Sequence, residues 1–155
     1  MIHSIRTVKQ EIRVLGLDTC GKKEVFGAVV RGGSFLDGVV RFALARNGER
    51  QLSSEVLATK YYPELRVLML HDPGKRLVSD RLEKVVGLYV IRISERASNG
   101  YSVFRSEHSR VFQKSHLTCS TVDRILSVTW TYGTLPEPVR IAHLLASRRP
   151  PISRA

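Results

Sequence analysis

Asp18 is the first residue whose type and place could do chemistry. It ends Glu11-Ile12-Arg13-Val14-Leu15-Gly16-Leu17-Asp18, in which Ile12, Val14, Leu15 and Leu17 read as a strand. A carboxylate at a strand end is rigidly held, and oxygen ligands suit a catalytic Mg²⁺. The alternative is that Asp18 opens the turn Asp18-Thr19-Cys20-Gly21. Arg140 and His143 stand three apart and share one face of a predicted helix. Between Ser94 and Ser120, the cations Arg96, Arg105, Arg110 and Lys114 interleave with Tyr101, Phe104 and Phe112, and His108 and His116 lie among them. Such a mixture tracks a single nucleic-acid strand by charge and stacking, although a surface hairpin explains the aromatics equally well. No phosphate-binding glycine loop and no nucleophile elbow are present, which leaves nucleotide-fold and hydrolase-triad chemistry without a basis.

The charge balance narrows the partner. Lys and Arg total 25 against 14 Asp and Glu, for a net charge of +11, and 18 of those cations are Arg. Arg grips phosphate bidentately and stacks on bases, so a nucleic-acid partner bound with counterion release is the leading expectation. A solvated basic surface is the alternative. No apolar run approaches the roughly 20 residues that a bilayer crossing needs. Arg6 and Lys9 are followed by no apolar segment, so no signal peptide is read and a cytoplasmic protein without membrane contact is expected. Cys20 and Cys119 lack metal-binding or redox spacing and are read as reduced and buried.

The 155 residues, 43% of them hydrophobic, suit a single domain over 1–155 with a short basic tail over 147–155, expected to be mobile. Strands are predicted over 11–18, 25–30 and 35–46, an antiparallel meander turned at Arg31-Gly32-Gly33-Ser34. A helix follows, N-capped by Ser53 or Ser54 and stopped by Pro63, then a strand over 65–70. A helix over 78–86 with Gly87 as its C-cap leads into a fifth strand over 88–91. Further helices are predicted over 121–132, capped by Ser120 or Thr121, and from Pro136-Glu137-Pro138 through Ala146. The order β, β, β, α, β, α, β implies an α/β fold with a mixed five-stranded sheet flanked by helices.

Three segments in order, 12–18, 32–39 and 136–146, with Arg66-Val67-Leu68-Met69-Leu70 as a fourth block, resemble the archaeal domain-of-unknown-function family 99. The resemblance runs over nearly the whole chain and implies an RNase H-like fold related to endonuclease V, whose members cut nucleic acid with carboxylate-held Mg²⁺. It makes Asp18 the well-matched ligand and brings in Asp72 and Glu49 as the other candidate metal ligands, with Asp18 and Asp72 as candidate catalytic residues. This chain departs from the family pattern at each acid. Asp18-Thr19-Cys20 stands for Asp-Asp-Gly, Leu70-His71-Asp72 for Leu-Asp-Gly, and Asn47-Gly48-Glu49-Arg50 for an acidic cluster. On a strand, a shift of one residue turns a side chain to the other face, although a loop could bring Asp72 back if it lies beyond the strand end. His71 is a further candidate ligand, as a neutral imidazole.

The leading expectation is therefore a nucleic-acid-binding protein with a degraded metal-nuclease centre, needing no cofactor. Arg105, Arg110, Lys114, Arg140, His143, Arg148 and Arg149 would meet the phosphates of RNA or DNA, although the resembled fold brings the last helix toward the strand-end carboxylates, where Arg140 and His143 could instead pair with Asp18. Two alternatives stay open: an active Mg²⁺- or Mn²⁺-dependent endonuclease, and a protein-interaction subunit of an archaeal nucleoprotein complex.

Overall fold

The computed structural model describes residues 4–21, 23–44, 48–107, 109–131 and 133–147. Its centre is one seven-stranded sheet, two strands more than the sequence predicts. The strands are β1 (Arg13–Asp18), β2 (Glu24–Arg31), β3 (Phe35–Ala43), β4 (Val67–His71), β5 (Tyr89–Ser94), β6 (Ser102–Arg105) and β7 (Arg110–Lys114). Their order across the sheet is β3-β2-β1-β4-β5-β7-β6. β1, β4 and β5 run parallel, whereas β2 and β3 form the predicted antiparallel meander. The two extra strands are the hairpin that the aromatic pattern allowed; β7 joins β5 antiparallel, and β6 becomes the edge.

Among the described residues four α-helices cover the two faces: α1 (Gly48–Leu57), α2 (Ser79–Val86), α3 (Cys119–Thr129) and α4 (Glu137–Ser147). Alternation along the parallel strands decides which face each residue meets. Leu15, Leu17, Leu68, Leu70 and Val90 pack with Leu52 and Val56 of α1 and Leu82 and Val86 of α2. Val14, Val67, Met69, Ile91 and Ile93 pack with Val122, Ile125 and Leu126 of α3 and Val139 of α4. Because both faces are covered, the central strands are apolar on both sides rather than alternating with polar residues. Burying one such leucine side chain contributes about 1.5–3 kcal/mol.

Gly16 lets α4 sit directly on β1. A Cβ built at Gly16 would lie 2.2 Å from the carbonyl carbon of Pro138 and 2.3 Å from its oxygen. Gly87 ends α2 as its sequence predicts, in the left-handed region at φ 76°, with its N–H bonded to Glu83 O at 2.9 Å. Helix α1 starts earlier than predicted. Ser53 lies inside it and bonds back to Glu49 O at 2.6 Å instead of capping it. Thr118, not Ser120 or Thr121, caps α3, accepting from Thr121 N at 3.2 Å. Cys20 and Cys119 are both exposed, against the expectation of burial: Cys20 lies beyond the end of β1 and Cys119 in the first turn of α3.

Candidate functional site

The parallel strands β1, β4 and β5 end side by side, with Asp18 opposite His71 and His71 opposite Ile93. The alternation that carries Val14 and Gly16 toward α4 carries Asp18 there too. On β4 the same face holds Val67, Met69 and then His71; on β5 it holds Ile91, Ile93 and then Glu95. Helix α4 lies across β1 against Gly16 and brings His143 down onto the same point. Asp18 Oδ2 receives His71 Nδ1 at 2.5 Å and His143 Nδ1 at 2.9 Å. Its Oδ1 accepts from Cys20 N–H at 2.8 Å. The two imidazoles meet edge to face, with ring centres 5.1 Å apart, and His71 Nε2 reaches Glu95 Oε1 at 2.9 Å.

Asp72 belongs to the opposite face. Its Oδ1 accepts from Thr19 Oγ1 at 2.6 Å and Arg76 N–H at 3.1 Å, and its Oδ2 from Leu77 N–H at 2.8 Å and Arg92 Nη2 at 3.2 Å. Arg92 in turn donates to Leu77 O and Ser79 Oγ, which ties the start of α2 to β5. Moving the acid one place along from His71 to Asp72 thus gives Asp18 an imidazole neighbour and gives the carboxylate to a loop clamp. Glu49, in the first turn of α1, is occupied elsewhere, with Oε1 accepting from Val78 N–H at 3.0 Å. Asp18, Cys20, His71 and His143 each offer one donor atom, all within 4.8 Å of one another; neither Asp72 nor Glu49 joins that group.

The electrostatics follow from burial and pairing. The Asp18 side chain is wholly buried, which opposes its charge, yet hydrogen bonds from His71 and from Cys20 N–H prevail and hold its carboxyl below the usual range. Burial likewise opposes a charged His71, while its bonds to Asp18 and Glu95 raise its pKa above the ordinary histidine value. Local desolvation and the adjacent Asp18 charge push the Cys20 thiol up to about 12, so in the absence of a cation it stays protonated.

The other candidate residues lie apart from this point. Arg105 and Arg110 are exposed and directly opposite each other on the hairpin, where Arg110 lies over the Phe112 ring at 5.7 Å. Lys114, also exposed, ends β7 opposite Arg92. Arg140 holds Glu137 of its own helix at 2.8 and 2.5 Å. Arg148, Arg149 and His108 lie outside the described residues, as does Asn47.

A second cluster joins α2 to the segment after β7. His116 Nδ1 meets Glu83 Oε2 at 2.7 Å, and its Nε2 lies 3.4 Å from Asp80 Oδ1. The Glu83 bond raises the His116 pKa, the Asp80 charge adds to this, and Lys114 opposes it. A raised histidine pKa means that this tether is complete below the ordinary value near 6.5 and is lost as pH rises through the raised one. In an NMR pH titration His116 is expected to titrate above 6.5, and Glu83→Gln to return it toward that value. A wild-type midpoint at or below 6.5 would remove the tether.

Glu95 and Cys20 are the site residues that the sequence reading missed. Glu95 continues the face marked by Ile91 and Ile93, so strand parity extended by one residue would have found it. Cys20 had no such signal, because it enters through the turn after β1.

No protein-family model matches the chain. It is 29% identical to a UPF0215 protein of Methanosarcina mazei over 90% of this chain and 91% of that one. To a UPF0215 protein of Methanopyrus kandleri it is 28% identical, covering 92% and 93%. The relatives are thus archaeal UPF0215 proteins, and their names carry no activity. The first of these alignments is 181 positions long against a chain of 155, so that relative carries segments this chain lacks. The fold is similar to the crystal structure of a protein of unknown function from Archaeoglobus fulgidus, with a TM-score of 0.71 and 22% identity over 88% of this chain and 96% of that one. Among the described residues no helix is long and apolar enough to cross a membrane.

Proposed function

We propose that this chain is a nucleic-acid-binding protein of RNase H-like, endonuclease V-related architecture that lacks a two-magnesium nuclease centre. Support for the architecture comes from the strand order β3-β2-β1-β4-β5 with β1, β4 and β5 parallel, and from the buried Asp18 at the end of the central strand. Magnesium, the metal of such centres, fits the residues present poorly. It asks for octahedral oxygen ligands, whereas Asp18 is met by two imidazoles and both oxygens of Asp72 are taken on the other face.

The observation that carries the binding reading is the set of cations on the β6–β7 hairpin and along the trough beside it, where the carboxylates of Asp80, Glu83 and Glu95 also lie. Arg105 faces Arg110 across the hairpin, a like-charge pairing that destabilises a sheet unless an anion lies against it. Lys114, at the other end of β7, lines a cavity of about 390 Å³ that also takes in Lys75 and Tyr101. Lys75 and Tyr101 continue into a second cavity of about 490 Å³ bounded by Arg96, Glu95 and His71. Cations with an interposed aromatic suit a single strand whose phosphates and bases are both contacted.

The test is a fluorescence anisotropy titration of labelled single-stranded RNA and DNA across a salt series in EDTA. Binding at low salt should weaken linearly in the logarithm of salt concentration, with a slope of about −0.7 per phosphate contact. Replacing both Arg105 and Arg110 by Ala should weaken binding and flatten that slope by about 1.4. No binding at low salt, or binding indifferent to salt, would remove the proposal.

A further inference from the structure

We propose, independently of the nucleic-acid reading, that Asp18, His71, His143 and Cys20 bind one divalent ion of the zinc class rather than magnesium. The four donors come from the end of β1 and the turn after it, the end of β4, and α4, and lie within 4.8 Å of one another. Two imidazole nitrogens converge on one carboxylate oxygen, at 2.5 and 2.9 Å. A cation among these three atoms gives each a lone-pair acceptor at once.

The surroundings are arranged for ligation. Cys20 N–H holds Asp18 Oδ1 at 2.8 Å and leaves Oδ2 directed at the imidazoles. Glu95 Oε1 lies 2.9 Å from His71 Nε2 and would hold the ring proton there once a metal displaces the one that Nδ1 directs at Asp18. A carboxylate behind a ligating histidine both orients the ring and strengthens it as a donor. Two nitrogens, one oxygen and one sulfur are the donor set of a tetrahedral zinc site, and imidazole and thiolate favour Zn²⁺ or Co²⁺ over Mg²⁺. On binding, the Cys20 S–H bond and the imidazole Nδ1–H bonds facing Asp18 break, the sulfur and both nitrogens keep their electron pairs for the metal, and the protons leave to solvent, with each ring carrying its one remaining proton at Nε2. The closed tetrahedron leaves no open position for a reacting water, in keeping with a metal that joins β1, β4 and α4 rather than one that hydrolyses a substrate.

The probes are Co²⁺ and Zn²⁺ alone, added to the EDTA-stripped full chain without nucleic acid. One equivalent of Co²⁺ should give the intense visible bands of tetrahedral cobalt with a near-ultraviolet thiolate band, and the latter should vanish in Cys20→Ser. In competition with a chromophoric chelator, His143→Ala should weaken Zn²⁺ binding on the order of 100-fold, and Glu95→Gln by about 10–100-fold. Glu95 is exposed and His143 half-exposed, so both variants are expected to fold, which circular dichroism checks. Absence of the cobalt bands, unchanged zinc affinity in both variants, or displacement of Zn²⁺ by an equal concentration of Mg²⁺ would overturn the assignment. Because no nucleic acid is present, that failure would leave the binding proposal standing, and loss of nucleic-acid binding in EDTA would leave this one standing.

Discussion

Replacing Asp72 by Ala is expected to lower the free energy of unfolding by about 3–5 kcal/mol, the cost of breaking a buried pair by removing one partner. The Asp72 side chain is wholly buried and its two oxygens accept four hydrogen bonds, two from the backbone N–H groups of Arg76 and Leu77. The backbone donors stay where the loop puts them and would be left without an acceptor, and the Arg92 charge would lose its carboxylate partner. Arg92 also holds Ser79 and Leu77 O, so the start of α2 should loosen with it. Urea denaturation measures the loss. Asp72→Leu with Arg92→Met is expected to recover part of it, since an apolar pair carries no uncompensated charge. A loss below about 1 kcal/mol for Asp72→Ala would mean that the carboxylate is not held this way and is available to a metal.

Gly16→Ala is expected to cost about 3 kcal/mol or more, at the upper end of overpacking in a well-filled core. The new methyl group would meet the Pro138 carbonyl at 2.2 and 2.3 Å, and these are backbone atoms that no rotamer change can move. Relief requires α4 to shift away from β1. His143 rides on α4, so the same shift should pull it from Asp18 and weaken zinc binding. Gly74→Ala serves as the control. Its nearest contact would be the Arg76 side chain at 3.5 Å, and it should change stability by no more than about 0.5 kcal/mol. Equal effects from the two substitutions would contradict the close approach of α4.

Much of this arrangement was legible because strand alternation is a strict rule. The apolar runs of β1, β2 and β4 read as central strands, and Asp18 fell at the end of the first. The displacement of an acid from position 71 to 72 read as a change of face, and the two side chains do occupy opposite faces. The hairpin was ambiguous because its four- and five-residue strands are too short for alternation to outweigh loop composition. The exposure of Cys20 and Cys119 depends on where strand and turn end, the least regular part of the pattern. That His143 would reach Asp18 was an expectation of the resembled fold rather than of any local pattern, because the contact spans 125 positions of sequence and depends on Gly16 admitting α4; Arg140, named with it, holds Glu137 instead.

Nucleic-acid binding without magnesium chemistry can be read from one titration of a labelled single strand, with and without inosine, in EDTA and in Mg²⁺ or Mn²⁺, following anisotropy and strand length together. A salt-sensitive complex of similar affinity with or without the divalent ion, and an intact strand throughout, is the expected result. Divalent-dependent cleavage that disappears in Asp18→Ala would contradict it.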